Sequence, residues 1–356
     1  MEGIASLDLQ ILRWLQSLGG LEALMRLLTF TGTVEFYLLW LPCLYWCWNA
    51  EIGLRLGMIL MSSAGLNQAL KVAFHQPRPY WFIPDLARVS VSGGDNNFAF
   101  PSGHAQNAVA HWGLFAASLP GRRRLPWVLA AVLVVLVGIS RVYLGVHSVD
   151  DVFAGWIAGA LLLAFFVRVE APVGRWLRRQ RLAKQILAAL LLSLSLLLVF
   201  ALAREARSGW ELPQAWSENA LARTGVPIEP LAWEGSVDVS GVLLGMGFGA
   251  AWLAQVGAYA ADGPARKRLA RLVLGMLGML ILWFGLRAAL PHGESPLVLA
   301  LRFLRSGLVG FWVAGLAPAL FVRLGLADLR SPGPSARSGT VFGRDPPSEM
   351  AQVRRR

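Results

Sequence analysis

Charge is what this chain lacks most. Of its 356 residues, 15% are charged and 56% are hydrophobic, whereas a soluble domain carries roughly 25% charged residues to cover its surface. A water-soluble globular protein is therefore excluded. Cysteine is nearly absent. Cys43 and Cys47 lie one helical turn apart in an apolar run, so they read as buried thiols rather than a disulfide or a metal clip, and they leave the redox compartment open. Tight histidine spacing is missing as well. His75, His104, His111 and His147 never approach a His-x3-His pattern, which argues against a zinc site and gives the expectation of no metal and no cofactor. Met1 to Gly20 lacks a basic start and a small-residue cleavage site, so no cleavable signal peptide is read there.

What the chain has instead is long apolar runs, such as Trp127 to Ile139, Ile186 to Ala203 and Leu297 to Val322. Crossing the hydrocarbon layer takes roughly 20 apolar residues. The expected fold is all-α, a polytopic integral membrane bundle. About nine spans are expected, near 29–49, 54–74, 103–119, 127–143, 149–168, 185–203, 237–258, 270–290 and 297–322. Residues 1–28 read as an interfacial segment, amphipathic from Leu7 to Leu28. Residues 29–203 form the expected catalytic core, and 204–322 hold an outer loop and three more spans. Residues 323–356, rich in Pro, Gly, Ser and Arg, read as a disordered basic tail.

The net charge of +12 raises nucleic acid as a partner, but the basic residues fall in short clusters between apolar runs, where they flank a membrane. Connections near 50–57, 121–124, 168–184 and 266–271, with the tail from Arg323, hold 21 Lys and Arg, against 10 in the alternate set. The positive-inside rule puts the richer set and the C-terminus in the cytoplasm. The loops 75–101, 144–148 and 204–236 then face outward, into the periplasm if the membrane is a bacterial inner membrane. The bilayer is the expected partner, with no nucleic acid.

Ionisable groups at bilayer depth are costly and mark functional sites. Three clusters carry them to the same outer face: Lys71 with Arg78 and Pro79; Pro101-Ser102-Gly103-His104; and Ser140-Arg141 with His147 and Asp151. Three cations suit the non-bridging oxygens of a phosphate, arginine as a bidentate fork and lysine as a point charge. The helix start at Ser102 and Gly103 adds unpaired N–H groups and a hydroxyl. Of two histidines, one can attack phosphorus as a neutral imidazole and the other can protonate the departing oxygen. His147 and Asp151 have the i, i+4 spacing that lets a carboxylate fix an imidazole tautomer. Of 33 basic residues only Lys71, Lys184 and Lys267 are lysine, and one of the three stands in this set.

Taken in order, Lys71-x6-Arg78-Pro79, Pro101-Ser102-Gly103-His104 and Ser140-Arg141-x5-His147-x3-Asp151 resemble the three-part signature of the type 2 phosphatidic acid phosphatase and vanadium haloperoxidase superfamily. The resemblance covers roughly residues 54–168. It implies a helical core in which His147 is the nucleophile and forms a phosphohistidine. Asp151 would orient His147, while His104 serves as acid and then base. Lys71, Arg78, Ser102, Gly103 and Arg141 would bind phosphate, without a metal. Nine spans and the run Arg78-Pro79-Tyr80-Trp81 resemble the glucose-6-phosphatase branch.

Several residues carry a plainer reading. Ser148 to Asp151 also spells a helix-capping box, Asp150 a first-turn acid, and His111 a satisfied interior histidine. Trp210, Trp216 and Trp233 read as an interfacial aromatic belt ahead of a lid, and Arg302 and Arg305 as snorkelling side chains. The leading expectation is hydrolysis of a lipid phosphomonoester or pyrophosphate on the outer side. Candidate substrates are phosphatidic acid, phosphatidylglycerophosphate and polyprenyl pyrophosphate. The alternatives are a soluble sugar phosphate, phosphate transfer to a lipid acceptor, and a non-catalytic transporter.

Overall fold

In hydrocarbon every backbone N–H and C=O must find its partner within the chain, and a helix does this locally. The computed structural model describes residues 6–88, 96–121 and 123–330, and helices account for most of them. The N-terminal quarter holds α1 (Ser6–Ser17), α2 (Glu22–Phe30), α3 (Val34–Cys47) and α4 (Ala50–Phe74). A short α5 (Pro79–Phe82) and a 3-10 turn (Pro84–Leu86) lead towards α6 (Gly103–Ser118), α7 (Leu125–Tyr143), α8 (Val149–Arg178) and α9 (Leu182–Glu205). Beyond these come α10 (Gln214–Thr224), α11 (Glu234–Val256), α12 (Ala265–Ala289) and α13 (Pro296–Arg323). A two-residue antiparallel pair, Ala258–Tyr259 with Leu329–Arg330, joins the ends of the last unit.

The protein is a polytopic helical membrane protein. Among the described residues, helices occupy each of the nine expected positions, yet six are long and apolar enough to cross a membrane, or seven when α2 and α3, bent by 49° at their break, count as one span. The two that fall short have a physical reason to do so. α6 has only 16 residues, and α4 carries Glu51, Arg55, Asn67, Gln68 and Lys71. These are the helices that bring Lys71 and His104 to the site, and polar cargo is what apolarity gives up. α8 runs the other way: its 30 residues reach about 45 Å, past the hydrocarbon layer, and its last turn ends in Arg175 and Arg178.

Caps set the helix starts where the chemistry is. Asn49 accepts from Ile52 N at 3.0 Å ahead of α4, and Ser102 caps α6. Ser148 and Asp151 cap α8 reciprocally, so the capping-box reading holds. Two glycines allow the packing that closes the site. A Cβ on Gly155 of α8 would lie 2.6 Å from the Ser102 carbonyl. Gly145 has φ +72°, which disfavours a side chain, and a Cβ there would strike the Leu86 carbonyl.

α1 and α10 lie across the end of the bundle that holds the loops. Leu12 of α1 is buried among Leu86, Val142 and Val152, and Gln16 donates to the carbonyls of Leu86 and Tyr143 at 2.8 and 2.9 Å. In α10, Asn219 donates to Trp81 O at 2.8 Å and Arg223 to Ala87 O. Trp210 and Trp216 pack on Phe98 and Trp81, so they join the core over the first motif instead of lining a belt. Arg302 and Arg305 likewise turn inward: Asp238 accepts from them at 2.7 and 2.9 Å. The expected basic tail lies almost wholly outside the described residues.

Candidate active site

The three sequence motifs meet. Lys71 leaves the last turn of α4, and Arg78 is the residue before α5. Ser102 caps α6, Arg141 ends α7, His147 sits in the loop after it, and Asp151 is in the first turn of α8. Lys71, Arg78, Ser102, Arg141, His147 and Asp151 are all buried. Ser102 N donates to the Asp151 carbonyl at 2.8 Å, which ties the second motif to the third.

His147 is held from both sides. Its Nδ1 lies 3.2 Å from Asp151 Oδ2, and the same oxygen accepts from Ser148 N at 2.8 Å. With Nδ1–H donating to Asp151, the lone pair is on Nε2, which faces Arg78 Nη1 at 3.4 Å. Burial, followed by the charges of Arg78, Lys71, Arg141 and His104, holds the His147 imidazole well below the ordinary histidine range. The cause is elementary: a proton added here would be a further cation in a buried cationic cage. The ring is therefore neutral at physiological pH, the state in which imidazole is a nucleophile.

The cations are fixed by groups outside the motifs. Asn97 Oδ1 accepts from Arg78 Nη2 at 2.9 Å and from Lys71 Nζ at 3.2 Å, and Asn97 O accepts from Arg78 Nε at 2.7 Å. Lys71 also donates to the Phe98 carbonyl, and Arg78 Nη1 to Val146 O at 3.2 Å. Thr29 Oγ1 accepts from Arg141 Nη1 at 2.6 Å. Beneath the second motif, Asn67 donates to Pro101 O at 3.2 Å and to Gln106 Oε1 at 2.9 Å, and Gln106 donates onward to Ser63 O at 2.9 Å. Gly103 sits against this network, since a Cβ there would lie 2.8 Å from Asn67 Oδ1. The Phe100–Pro101 peptide bond is cis.

Asn67 and Gln106 could have been found from sequence, as buried amides at membrane depth are costly unless satisfied. Asn97 and Thr29 carried no local signal. His111 is an interior histidine, but only half satisfied: it is fully buried, its Nε2 accepts from Trp40 Nε1 at 3.0 Å, and its Nδ1 has no hydrogen-bond partner among the described residues. Cys43 and Cys47 are free thiols. Among the described residues, no three His, Cys, Asp or Glu side chains converge as a metal site.

Two cavities flank the cage. One, of about 370 Å³, is lined by Phe74, His75, Gln76, Phe82, Trp210 and Trp216 among others. The other, of about 410 Å³, is an apolar groove running between α4 and α8, past Leu66, Leu70, Ala158 and Leu161, with Phe100 and Pro101 in its wall.

Comparison with known proteins matches residues 52–175 to the PAP2 superfamily and residues 237–329 to the transmembrane extension of PAP2 superfamily phosphatases. The chain belongs to the PAP2 superfamily. The PAP2 domain thus spans α4 to α8 and contains all eleven residues of the three motifs, while α11 to α13 make up the extension. The chain is 27% identical to lipid phosphate phosphatase delta of Arabidopsis thaliana over 195 residues, which is 51% of this chain and 45% of that protein. It is 37% identical over 123 residues to phosphatidylglycerophosphatase B of Bacillus subtilis (strain 168), 33% of this chain and 56% of that one. The matches thus span about half the length of these relatives. Among solved structures, the crystal structure of a transmembrane PAP2-type phosphatidylglycerolphosphate phosphatase from Bacillus subtilis aligns with a TM-score of 0.40 at 29% identity. It covers 48% of this chain and 87% of that one.

Proposed function

We propose that this PAP2 protein hydrolyses a phosphomonoester or pyrophosphate of a lipid through a phosphohistidine on His147. The observation that carries the reading is the arrangement at His147, with Asp151 on Nδ1 and Nε2 turned towards Arg78 at 3.4 Å. The Nε2 lone pair attacks phosphorus while Lys71, Arg78, Arg141 and the Ser102–Gly103 helix start neutralise the non-bridging oxygens. As the bond from phosphorus to the leaving oxygen breaks, protonated His104 gives that oxygen its proton. Neutral His104 then takes a proton from water, whose oxygen attacks the phosphohistidine. The P–N bond breaks, phosphate departs, and both histidines return to their starting states. The cage supplies positive charge from side chains, so the reaction proceeds without a metal ion.

A lipid substrate is supported by the apolar groove beside Pro101 and by relatives named for lipid phosphates and phosphatidylglycerophosphate. The Lys and Arg distribution supports an outward-facing, periplasmic site and a cytoplasmic C-terminus.

The test is phosphate release by purified protein in detergent with EDTA. The panel contains lipid monophosphates, a polyprenyl pyrophosphate and glucose 6-phosphate. We expect turnover of lipids and none in His147→Ala. His104→Ala should fall ~10²–10⁴-fold, the usual contribution of a positioned general acid. Preference for the sugar phosphate would overturn the lipid assignment, and full activity in His147→Ala would overturn the mechanism.

A further inference from the structure

The cage is not closed by the PAP2 motifs alone. The break between α2 and α3 (Thr31, Gly32 and Thr33) and the last turn of α2 lie against two of its working groups. Thr29 Oγ1 accepts from Arg141 Nη1 at 2.6 Å across 112 residues of sequence. Three residues on, a Cβ at Gly32 would stand 2.7 Å from His104 Cδ2 and 3.3 Å from its Cγ. Residues 29 and 32 precede the PAP2 match, which starts at residue 52, so no motif of that domain accounts for them.

We propose that the α2–α3 break is part of the active site, with Thr29 and Gly32 as positioning residues. The inference rests on the phosphatase reading above. Thr29 takes up one N–H of the Arg141 guanidinium and so fixes the plane of the fork. The remaining N–H groups are then directed by geometry rather than by chance, and a bidentate grip on phosphate depends on that plane. Gly32 acts by having no side chain. His104 must reach the leaving oxygen, and a methyl group at residue 32 would occupy space its ring now holds. The ring cannot yield without moving its nitrogens, because the clash falls on ring carbons and not on a flexible tip. α2 and α3 meet at a 49° bend, and the segment that makes the bend touches both groups.

The two residues therefore act on different steps, and the variants separate them. Thr29→Val keeps the shape and removes the acceptor. Its KM for p-nitrophenyl phosphate and its Kd for vanadate by calorimetry are expected to rise about tenfold, the scale of one hydrogen bond to a charged group. Its kcat should stay within about twofold of wild type, and Thr29→Ser should restore both constants. Gly32→Ala is expected to leave vanadate affinity near wild type. Its kcat should fall at least about tenfold more for a long-chain alkyl phosphate, which needs the acid, than for p-nitrophenyl phosphate, whose leaving group does not. Each variant is assayed at its own folded fraction, set by thermal unfolding in detergent.

An unchanged or lower vanadate Kd in Thr29→Val, or no rescue by serine, overturns the role of Thr29. Equal losses on both esters in Gly32→Ala overturn that of Gly32. A wild-type protein that neither cleaves the esters nor binds vanadate overturns the phosphatase reading itself, and this inference with it.

Discussion

Asn97 Oδ1 lies 2.9 Å from Arg78 Nη2, and the same oxygen reaches Lys71 Nζ at 3.2 Å. One amide thus joins the two cations of the first motif at a fixed distance, although it belongs to no motif. Asn97→Ala removes an acceptor from both. A hydrogen bond to a charged group contributes about 1.5–3 kcal/mol, so kcat/KM should fall ~10–100-fold. Asn97→Asp should fall further, because a carboxylate there competes with phosphate for the same charges. Steady-state kinetics with vanadate inhibition check both, and an Asn97→Asp variant with improved vanadate affinity would contradict the reading.

The pH profile follows from the His147 environment. Its folded pKa is depressed below 6.5 by burial and by Arg78, Lys71 and Arg141. The neutral imidazole, the proposed nucleophile, therefore persists as pH falls through 6.5 and is lost only below it. The acid limb of kcat/KM should lie under that value. Lys71→Met removes one cation, so the His147 pKa should rise and the limb should move towards neutral pH, in addition to any loss in rate. A limb that stays put in this variant would show that another group controls it.

α1 carries a second pH-sensitive contact. Asp8 is raised from the usual carboxylate range to about 6, first by burial and then by the charge and hydrogen bond of Asp150. Asp150 adjoins Asp151, so this contact holds α1 against the third motif. A carboxyl whose folded pKa is raised contributes stability at low pH that is lost as pH rises through the folded value. Thermal stability should therefore decline between about pH 4 and 6, in part through Asp8. Asp8→Asn should flatten that decline and raise the unfolding temperature at pH 8. An unchanged slope would assign the decline elsewhere.

The groove between α4 and α8 offers a direct test of the substrate's tail. Ala158 lines it and lies seven residues past Asp151 on α8. Ala158→Trp should raise KM for a long-chain lipid phosphate about tenfold, the loss that follows when two methylenes at about 0.8 kcal/mol each are no longer buried. The KM for p-nitrophenyl phosphate should stay near wild type. Equal effects on the two substrates would remove the groove from the substrate path.

Much of this was legible in the sequence because the signals were local. Helix and membrane follow from apolar runs and a shortage of charge. The histidine with its carboxylate follows from an i, i+4 spacing that any helix start would honour, and Ser148 and Asp151 cap α8 as their pattern predicts. Even Asn67 and Gln106 stand out once amides in apolar helices are counted as costly. The span count was harder to read, since α4 and α6 trade apolarity and length for the site.

By itself, then, the sequence determined the helical membrane fold and the three motifs, because each rests on composition or on neighbours a few residues apart. Only the tertiary structure decided what holds those residues in place. Thr29 meets Arg141 across 112 positions, Gln16 meets Tyr143 across 127 and Arg207 meets Ala73 across 134. Trp210 and Trp216 could be read as a belt until α10 was seen to fold over α5. Contacts at such separations depend on how whole helices pack, and packing is set by the sum of many weak contacts rather than by any spacing along the chain.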